Sequence, residues 1–421
     1  MRLIFSVMLL CLSAAVQAGD LHTLISKTID SHPDVLVEKS KQIVAQTQLE
    51  LSQEQYYPTF SVSFENAAVT RDVDVNYRGA NNVTTFRLQQ PLYTFGRLDA
   101  GEAKNAAALE SQTFSYAETQ LQLAQSVLQA WGEWYVASLR TEALNKSLKT
   151  HEELRDSVSR RADKGASSPS EVKLSVARLA SVQAQIANTQ LQAAAAKVKL
   201  EQFVGDTLPH DATPSQHLTF ELTLPALMSD AALQVSPTLK RFAADIRRSE
   251  AQADEEKAAL APEIYLRAEH QRGDYSTNIP FLNRVFIGFQ SDFGAGLSAI
   301  KEVQLASQRT NTIKAEVEVI KRNITERVRL EMTQLELLDI RQTALELNLS
   351  ANSDIADAFG RQYLAGRRSW VEVMNTAREL SQAELELADL KAAKVLSYWR
   401  LAFLVKGLDA ALVASQPITL K

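Results

Sequence analysis

Long stretches of the chain place apolar residues three and four positions apart, which is the spacing of amphipathic α-helices. One stripe consists of Val172, Val176, Leu179, Val182 and Ile186. A looser stripe consists of Ile320, Ile324, Val328, Leu335 and Leu338. Such seams suit helices that pack side by side in the manner of a coiled coil. The longest runs predict helices of about 65 residues, or about 100 Å, which favours an elongated bundle or tube over a compact globule.

Four short segments instead alternate apolar and polar residues, which is typical of β-strands with two different faces. They cover residues 59–65, 83–90, 263–269 and 284–290, and the alternation is weakest in the last of them. A sheet half-buried in a soluble domain would show this pattern. A membrane β-barrel with apolar residues facing lipid and polar residues facing water would show it too, and both interpretations stay open on the pattern alone.

The order of these elements occurs twice along the chain. "SHPDV" is matched by "VSPTL", "YYPTF" by "LAPEI", and "KGASSPSEV" by "AGRRSWVEV", each about 200 residues later. Each half therefore reads as a helix, a pair of strands, a long helix, a glycine-marked turn and a shorter helix. Repeats of this size indicate two copies of one structural unit.

These patterns predict a division into two repeats with a link between them. The predicted segments are a signal peptide at 1–18, a first repeat at 19–205, an interhalf link at 206–235, a second repeat at 236–407 and a tail at 408–421. The strand hairpins are expected at 58–90 and 262–291, and the turns between the long and short helices at 164–170 and 364–370.

The N-terminus has the features of a secretory signal. Arg2 precedes an apolar run, and Val16-Gln17-Ala18 resembles a cleavage site, so the mature chain is expected to begin at Gly19. The apolar run is too short to form a spanning helix. Cleavage before Cys11, as in a lipoprotein, is the less favoured alternative because leucines precede it where small residues are expected.

Composition and spacing provide no candidate for catalysis. The formal charge of −5 argues against a nucleic-acid partner. Cys11 is the one cysteine, so the mature chain would have no disulfide, and the six histidines lack metal-ligand spacing. The string "DFGAGLSA" resembles a dinucleotide fingerprint but is followed by a long helical run rather than by a short helix and a second strand. No enzymatic activity, cofactor or metal is expected.

If the strands lie in a membrane, their number has a consequence for assembly. Four strands cannot close a barrel, because small transmembrane barrels begin at about eight strands. An open sheet edge is not tolerated in lipid. Several copies would therefore share one barrel in a cyclic ring, and three copies would supply twelve strands.

The chain resembles the TolC family of outer-membrane export channels. The resemblance rests on the duplicated layout, on "QQPLYTFGRLDAGEAKN" where strand meets helix, and on the two turn segments, and it covers about residues 20 to 407. It implies a mainly helical fold with a small β part. In this fold a homotrimer forms an α-barrel tunnel from long helical hairpins and a 12-strand transmembrane β-barrel from four strands per chain.

The resemblance also implies roles for the two turns, at the periplasmic tip of the tunnel. It assigns gate functions to Ser170, Glu171, Tyr363, Arg368, Glu372 and Asn375. It assigns adaptor contacts to Gly165, Gly366 and Arg367. Asn375 departs from the family, because a second acidic residue is expected there, and the departure halves the number of carboxylates around the pore. On the residues alone, these charges would read as ordinary solvated turn residues.

The function implied is that of a passive, tip-gated export channel in the outer membrane of a Gram-negative bacterium, extending into the periplasm. Its implied partners are a periplasmic adaptor protein, an inner-membrane pump or ABC transporter, and outer-membrane lipid. Small-molecule efflux and type I protein secretion both fit. The alternative is a structural coiled-coil scaffold of the periplasm without a pore.

Overall fold

The structure is a computed structural model that describes residues 19–66, 82–209, 212–215, 224–273, 281–291, 294 and 298–414. The predicted signal peptide, with Cys11, lies outside the described residues. The same holds for the polar segments predicted between the paired strands, for parts of the interhalf link and for the end of the tail.

Helices account for most of the described chain. They are α1 Leu21–Ser31, α2 Pro33–Glu54, α3 Arg97–Asp163, α4 Pro169–Val204, α5 Pro225–Val235, α6 Pro237–Ala258, α7 Ser298–Leu364, α8 Trp370–Lys406 and α9 Leu408–Ala414. Prolines begin α2, α4, α5 and α6, where a fixed φ suits the first turn and the missing N–H has no helical partner to lose. The helices α3 and α7 are 67 residues each, as the apolar spacing predicts.

The strands form one antiparallel sheet. They are β1 Thr59–Asn66, β2 Asn82–Tyr93, β3 Glu263–Arg272 and β4 Phe281–Gln290, and they lie in the order β1-β2-β3-β4. The register between β2 and β3 shifts between Pro91 and Tyr93. Proline has no N–H to give to a ladder, which suits an irregular position. The predicted fold class, mainly α with four strands, is confirmed.

The sheet has two chemically different faces. The pairing register puts a set of apolar side chains on one side, here called the apolar face: Phe60, Val62, Phe64, Phe86, Leu88, Leu266, Ala268, Val285, Ile287 and Phe289. The opposite side, the polar face, carries Ser61, Ser63, Thr85, Arg87, Gln89, Arg267, Glu269, Gln271 and Arg284. Within the chain the apolar face is open to solvent, since Ile287 is 69% exposed and Phe289 is 80% exposed.

The chain divides into two compact units. The first comprises Met1–Leu36, Glu118–Ser236 and Arg322–Lys421, and the second comprises Val37–Ala117 and Pro237–Lys321. In the first unit, the core is built around Trp131, Trp399 and Phe403. The indole N–H of Trp131 donates to the carbonyl oxygen of Gly19 at 3.2 Å, so this large ring is buried without an unsatisfied donor.

The second unit contains the sheet and is crossed by polar contacts between its helices. The hydroxyl groups of Ser249 and Thr310 lie 2.8 Å apart and are buried. Glu38 accepts hydrogen bonds from Lys41, Gln112 and Ser115, and the Lys41 contact is the main reason that the pKa of Glu38 is lowered. These side-chain contacts join α2 to α3 and α6 to α7.

Candidate functional site

The predicted gate residues lie at two turns of similar design. Residues 164–168, here the first turn, connect α3 to α4, and residues 365–369, the second turn, connect α7 to α8. Gly165 has φ of 72° and Gly366 has φ of 74°. This left-handed conformation is accessible to glycine at little cost, which explains why each turn has a glycine at the same place.

Each turn ends in a capping box. The Ser168 hydroxyl accepts from the Glu171 N–H at 3.3 Å, and the Glu171 carboxylate accepts from the Ser168 N–H at 3.2 Å. At the second turn the Ser369 hydroxyl accepts from the Glu372 N–H at 3.4 Å, and the Glu372 carboxylate accepts from the Ser369 N–H at 3.0 Å. Reciprocal capping satisfies backbone donors at the start of each returning helix, so both carboxylates are held close to the backbone.

The two turns are joined to each other by side chains. The hydroxyl oxygens of Tyr363 and Ser167 lie 2.9 Å apart. The guanidinium of Arg161 lies over the Tyr363 ring at 4.8 Å and donates to the carbonyl oxygen of Leu364 at 3.1 Å. Arg161 at the end of α3 and Ser167 of the first turn thus connect this side of the tip to the end of α7.

A small apolar core, here the turn cluster, lies beside these contacts. Its buried members are Val158, Tyr363, Trp370, Val373 and Met374. The rings of Tyr363 and Trp370 are 5.1 Å apart, and Trp370 is fully buried although it is the first residue of α8. The turn cluster gives the turns a fixed packing of their own.

Arg368 satisfies its charge within the second turn and the helices beside it. Its Nη1 lies 2.6 Å from Glu372 Oε1, its Nε donates to Gln362 at 3.0 Å, and its guanidinium lies 4.2 Å from the centre of the Phe359 ring. Hydrogen bonds from Ser369, and then the bond from Arg368, lower the pKa of the Glu372 carboxyl. The pair is partly exposed, so it is a weak and breakable link.

The remaining predicted residues lie at the same turns but are not all brought together. Ser170, Arg367 and Asn375 are exposed. Glu171 acts within the chain as a capping group, and across the described ranges no ion pair joins it to Arg368. The structure therefore shows Arg368 paired with Glu372, which lies in the first turn of the helix that follows.

Sequence reasoning missed several residues that hold the turns. Arg161, Ser167 and Trp370 are not among the predicted gate residues, although Arg161 and Ser167 contact Tyr363 across the turns and Trp370 is buried in the turn cluster. The capping serines were detectable, because "SPSE" and "SWVE" match the S-x-x-E pattern of a capping box. The stacking of Arg161 on Tyr363 joins residues 202 apart in number and has no local signal in the sequence.

Two searches of the described residues bear on other kinds of site. In those parts of the chain, no group of histidine, cysteine, aspartate and glutamate residues is arranged to hold a metal ion. None of the helices described is both long enough and apolar enough to cross a lipid bilayer.

Comparison with known proteins places these features in a family. The family model described as "Outer membrane efflux protein" matches residues 24–206 and 228–405. The structure is similar to that of CusC, with 18% identity, 91% of each chain covered and a TM-score of 0.79. It is similar to the outer membrane protein VceC of Vibrio cholerae, with 15% identity, 92% of this chain and 96% of that chain covered, and a TM-score of 0.79.

A third similar structure is the open state of the MtrE outer membrane channel of Neisseria gonorrhoeae. It has 17% identity, covers 94% of this chain and 91% of that chain, and has a TM-score of 0.74. At these identities the likeness concerns the fold. Among curated proteins, none matches the sequence significantly.

Proposed function

The chain belongs to the outer membrane efflux protein family, and from this premise we propose that it is the passive conduit of an envelope-spanning export system. Three copies assemble in the outer membrane of a Gram-negative cell and extend into the periplasm. Each copy contributes its four strands to a twelve-strand barrel and its long helices to a tunnel. The protein provides an aqueous path, and other components provide the energy.

The exposed apolar face of the sheet is the observation that carries this proposal. A soluble sheet buries its apolar side against a core, whereas Phe289 and Ile287 are mostly exposed. In the described residues, β1 and β4 each pair with one neighbour only, so the sheet has two open edges. Lipid would cover the face, and the strands of neighbouring copies would pair with the edges.

Purification from outer-membrane extracts and planar-bilayer recording test the conduit. The expected result is a detergent-resistant trimer that produces discrete conductance steps. A soluble, elongated, non-conducting oligomer would overturn the conduit and favour the alternative, a structural coiled-coil scaffold of the periplasm.

We further propose that the two turns form the periplasmic gate. The gate residues are Ser170, Glu171, Tyr363, Arg368, Glu372 and Asn375. Support comes from Tyr363, which links the turns, and from the weak pair of Arg368 with Glu372. Each link is small, so a partner protein would open the entrance without a prohibitive energetic cost.

Gly165, Gly366 and Arg367 are the proposed contacts with a periplasmic adaptor. All three are exposed at the turns, where a docking protein reaches them without disturbing the turn cluster. The adaptor would connect the conduit to an inner-membrane pump or ABC transporter, which selects the cargo. Cysteine crosslinking from Ser168 or Ser369 in intact cells identifies that adaptor.

The proposed organisation of the chain is a duplication, with repeats at 19–205 and 236–407 and a link at 206–235. It is supported by the matched pairs of elements, since α3 and α7 each follow two strands and each precede a capped turn.

A further inference from the structure

We propose that three arginines on the polar face of the sheet, Arg87, Arg267 and Arg284, form an anion-binding belt that admits multivalent anions to the barrel lumen. The inference rests on the proposed function, because it takes the polar face to line the water-filled lumen. The belt is expected to bind small multivalent oxyanions, such as a polyphosphate or a polycarboxylate.

The cluster is built on one row of the sheet. Arg87 of β2 and Arg284 of β4 are the direct cross-strand neighbours of Glu269 on β3. Arg87 Nε lies 2.8 Å from Glu269 Oε1, and Arg284 Nη2 lies 3.9 Å from Glu269 Oε2. Arg267, two residues along the same strand, lies 4.0 Å from the same carboxylate. Three guanidinium groups therefore share one carboxylate.

Beyond its long contact with the shared Glu269 carboxylate, Arg267 is held in place by groups that carry no charge. Its Nε and Nη2 donate to Gln89 Oε1 at 3.0 and 2.7 Å. Its guanidinium lies over the Tyr265 ring at 4.5 Å and over the Phe286 ring at 5.4 Å. A neutral amide and two aromatic rings orient the group without neutralising it.

Among the described residues of the four strands, the local charge is positive even when the other carboxylates of this face are counted. Glu263 is paired with Arg97 at 2.6 Å, so it does not compensate the cluster. Glu65 lies four residues along β1 from Ser61, which is in the row of Arg87. That is about 13 Å at the usual rise of a strand. The separation exceeds the Debye length of about 8 Å at physiological salt.

The arrangement suits anions in solution rather than a closed structural network. Three positive charges against one negative charge leave an excess of two per chain, and six in the proposed trimer. The side chains of Arg87 and Arg284 are 44% and 48% exposed, so they are accessible to a ligand. Guanidinium groups stay protonated at all physiological pH values and bind phosphate and carboxylate oxygens in a bidentate manner.

Planar-bilayer recording of the full-length protein tests the belt, with sodium tripolyphosphate as the probe added to each side in turn. The double variant Arg87→Gln/Arg284→Gln is compared with the wild type. Arg272→Gln is the matched control, because it removes one charge from the same sheet but lies in register with the apolar face. A heat-stable trimer on a gel verifies assembly of each variant.

The expected result is that tripolyphosphate blocks the wild-type current and that the half-blocking concentration rises about tenfold in the double variant. In asymmetric KCl, the reversal potential of the double variant shifts toward that of a cation-selective pore. Arg272→Gln leaves both quantities unchanged. If the double variant does not assemble, Arg284→Gln alone is used, since its pair with Glu269 is the looser one, and a smaller shift of the same sign is expected.

Equal block of the wild type and the variants, with equal reversal potentials, overturns the belt while leaving the conduit intact. Absence of any conductance from a purified wild-type trimer overturns the conduit itself. The two failures are therefore distinguishable in one set of recordings.

Discussion

The turns of the long helices and the sheet differ in how their charged side chains are paired and in how far their apolar side chains are buried. At the second turn, Arg368 faces one carboxylate, and the rings of Tyr363 and Trp370 are buried in the turn cluster. On the sheet, Glu269 faces three arginines, and the apolar face is open to solvent. The turns therefore pair their main charge and pack their main aromatic rings within one chain, whereas the sheet requires surroundings that the chain does not supply. A membrane and neighbouring copies would complete it.

The largest expected effect is a loss of stability when the packing of the turn cluster is disrupted. Trp370→Ala removes a fully buried ring from the turn cluster and is expected to lower the stability of the turn region by about 3–5 kcal/mol. Hydrogen exchange of the amides at the start of α8 measures this loss. Val371→Ala is the control, because Val371 is 54% exposed and its replacement should change stability by less than about 0.5 kcal/mol. Equal protection in the two variants would contradict a packed cluster.

The second prediction tests whether lipid covers the apolar face of the sheet. Ile287→Lys places a charge on the apolar face and is expected to cost about 2–4 kcal/mol per chain if that residue lies near the bilayer midplane. Because Ile287 is 69% exposed in the single chain, the same change in a soluble protein would be nearly neutral. The measurement is the fraction of the protein recovered as outer-membrane trimer.

Ser63→Lys is the matched control for the sheet, since Ser63 is exposed on the polar face. It should leave recovery unchanged. If both variants assemble as well as the wild type, the apolar face does not contact lipid.

A third, smaller effect concerns the link between the turns. Tyr363→Phe and Ser167→Ala each remove one partner of the hydroxyl contact and keep the ring beneath Arg161. Each should weaken the link by about 1 kcal/mol, and the double variant should be no worse than either single variant. Single-channel conductance should rise to the same extent in all three. Additive increases would indicate that the two hydroxyl groups act independently.

Much of this architecture was predictable from local patterns. Apolar spacing identified the helix that contains Leu179 and Val182, and alternation identified β1 through Phe60 and Val62. Both patterns involve residues that are close in sequence, because side-chain direction repeats every 3.6 residues in a helix and every 2 residues in a strand. The strands extend one to three residues beyond the predicted limits, where the strict alternation breaks, for example at the adjacent apolar residues Phe281 and Leu282 of β4.

The side-chain contacts at the turns and in the arginine cluster of the sheet were less predictable, because they depend on residues far apart in the chain. Arg87 and Arg284 read as ordinary polar positions of two strands until the register of β3 places Glu269 between them. Register shifts by one residue would move each side chain to the other face, and no local pattern fixes the pairing of strands separated by a long helix.

The smallest predicted effect concerns the charge pair of the second turn and its pH dependence. Arg368→Ser should raise single-channel conductance slightly, since it loosens the contacts with Gln362 and Glu372, whereas Arg367→Ser, an exposed neighbour, should not. The pKa of Glu372 is lowered below its usual 4.5. Its stabilising contribution is therefore fully present above pH 4.5 and is lost as the pH falls through the lowered value. Wild-type conductance should be constant near neutrality and rise only in acid. A smaller rise of conductance in acid is expected in Arg368→Ser, because Ser369 still lowers the pKa of Glu372 after the arginine is gone. Equal rises in the wild type and in Arg368→Ser would show that Arg368 is not part of the gate.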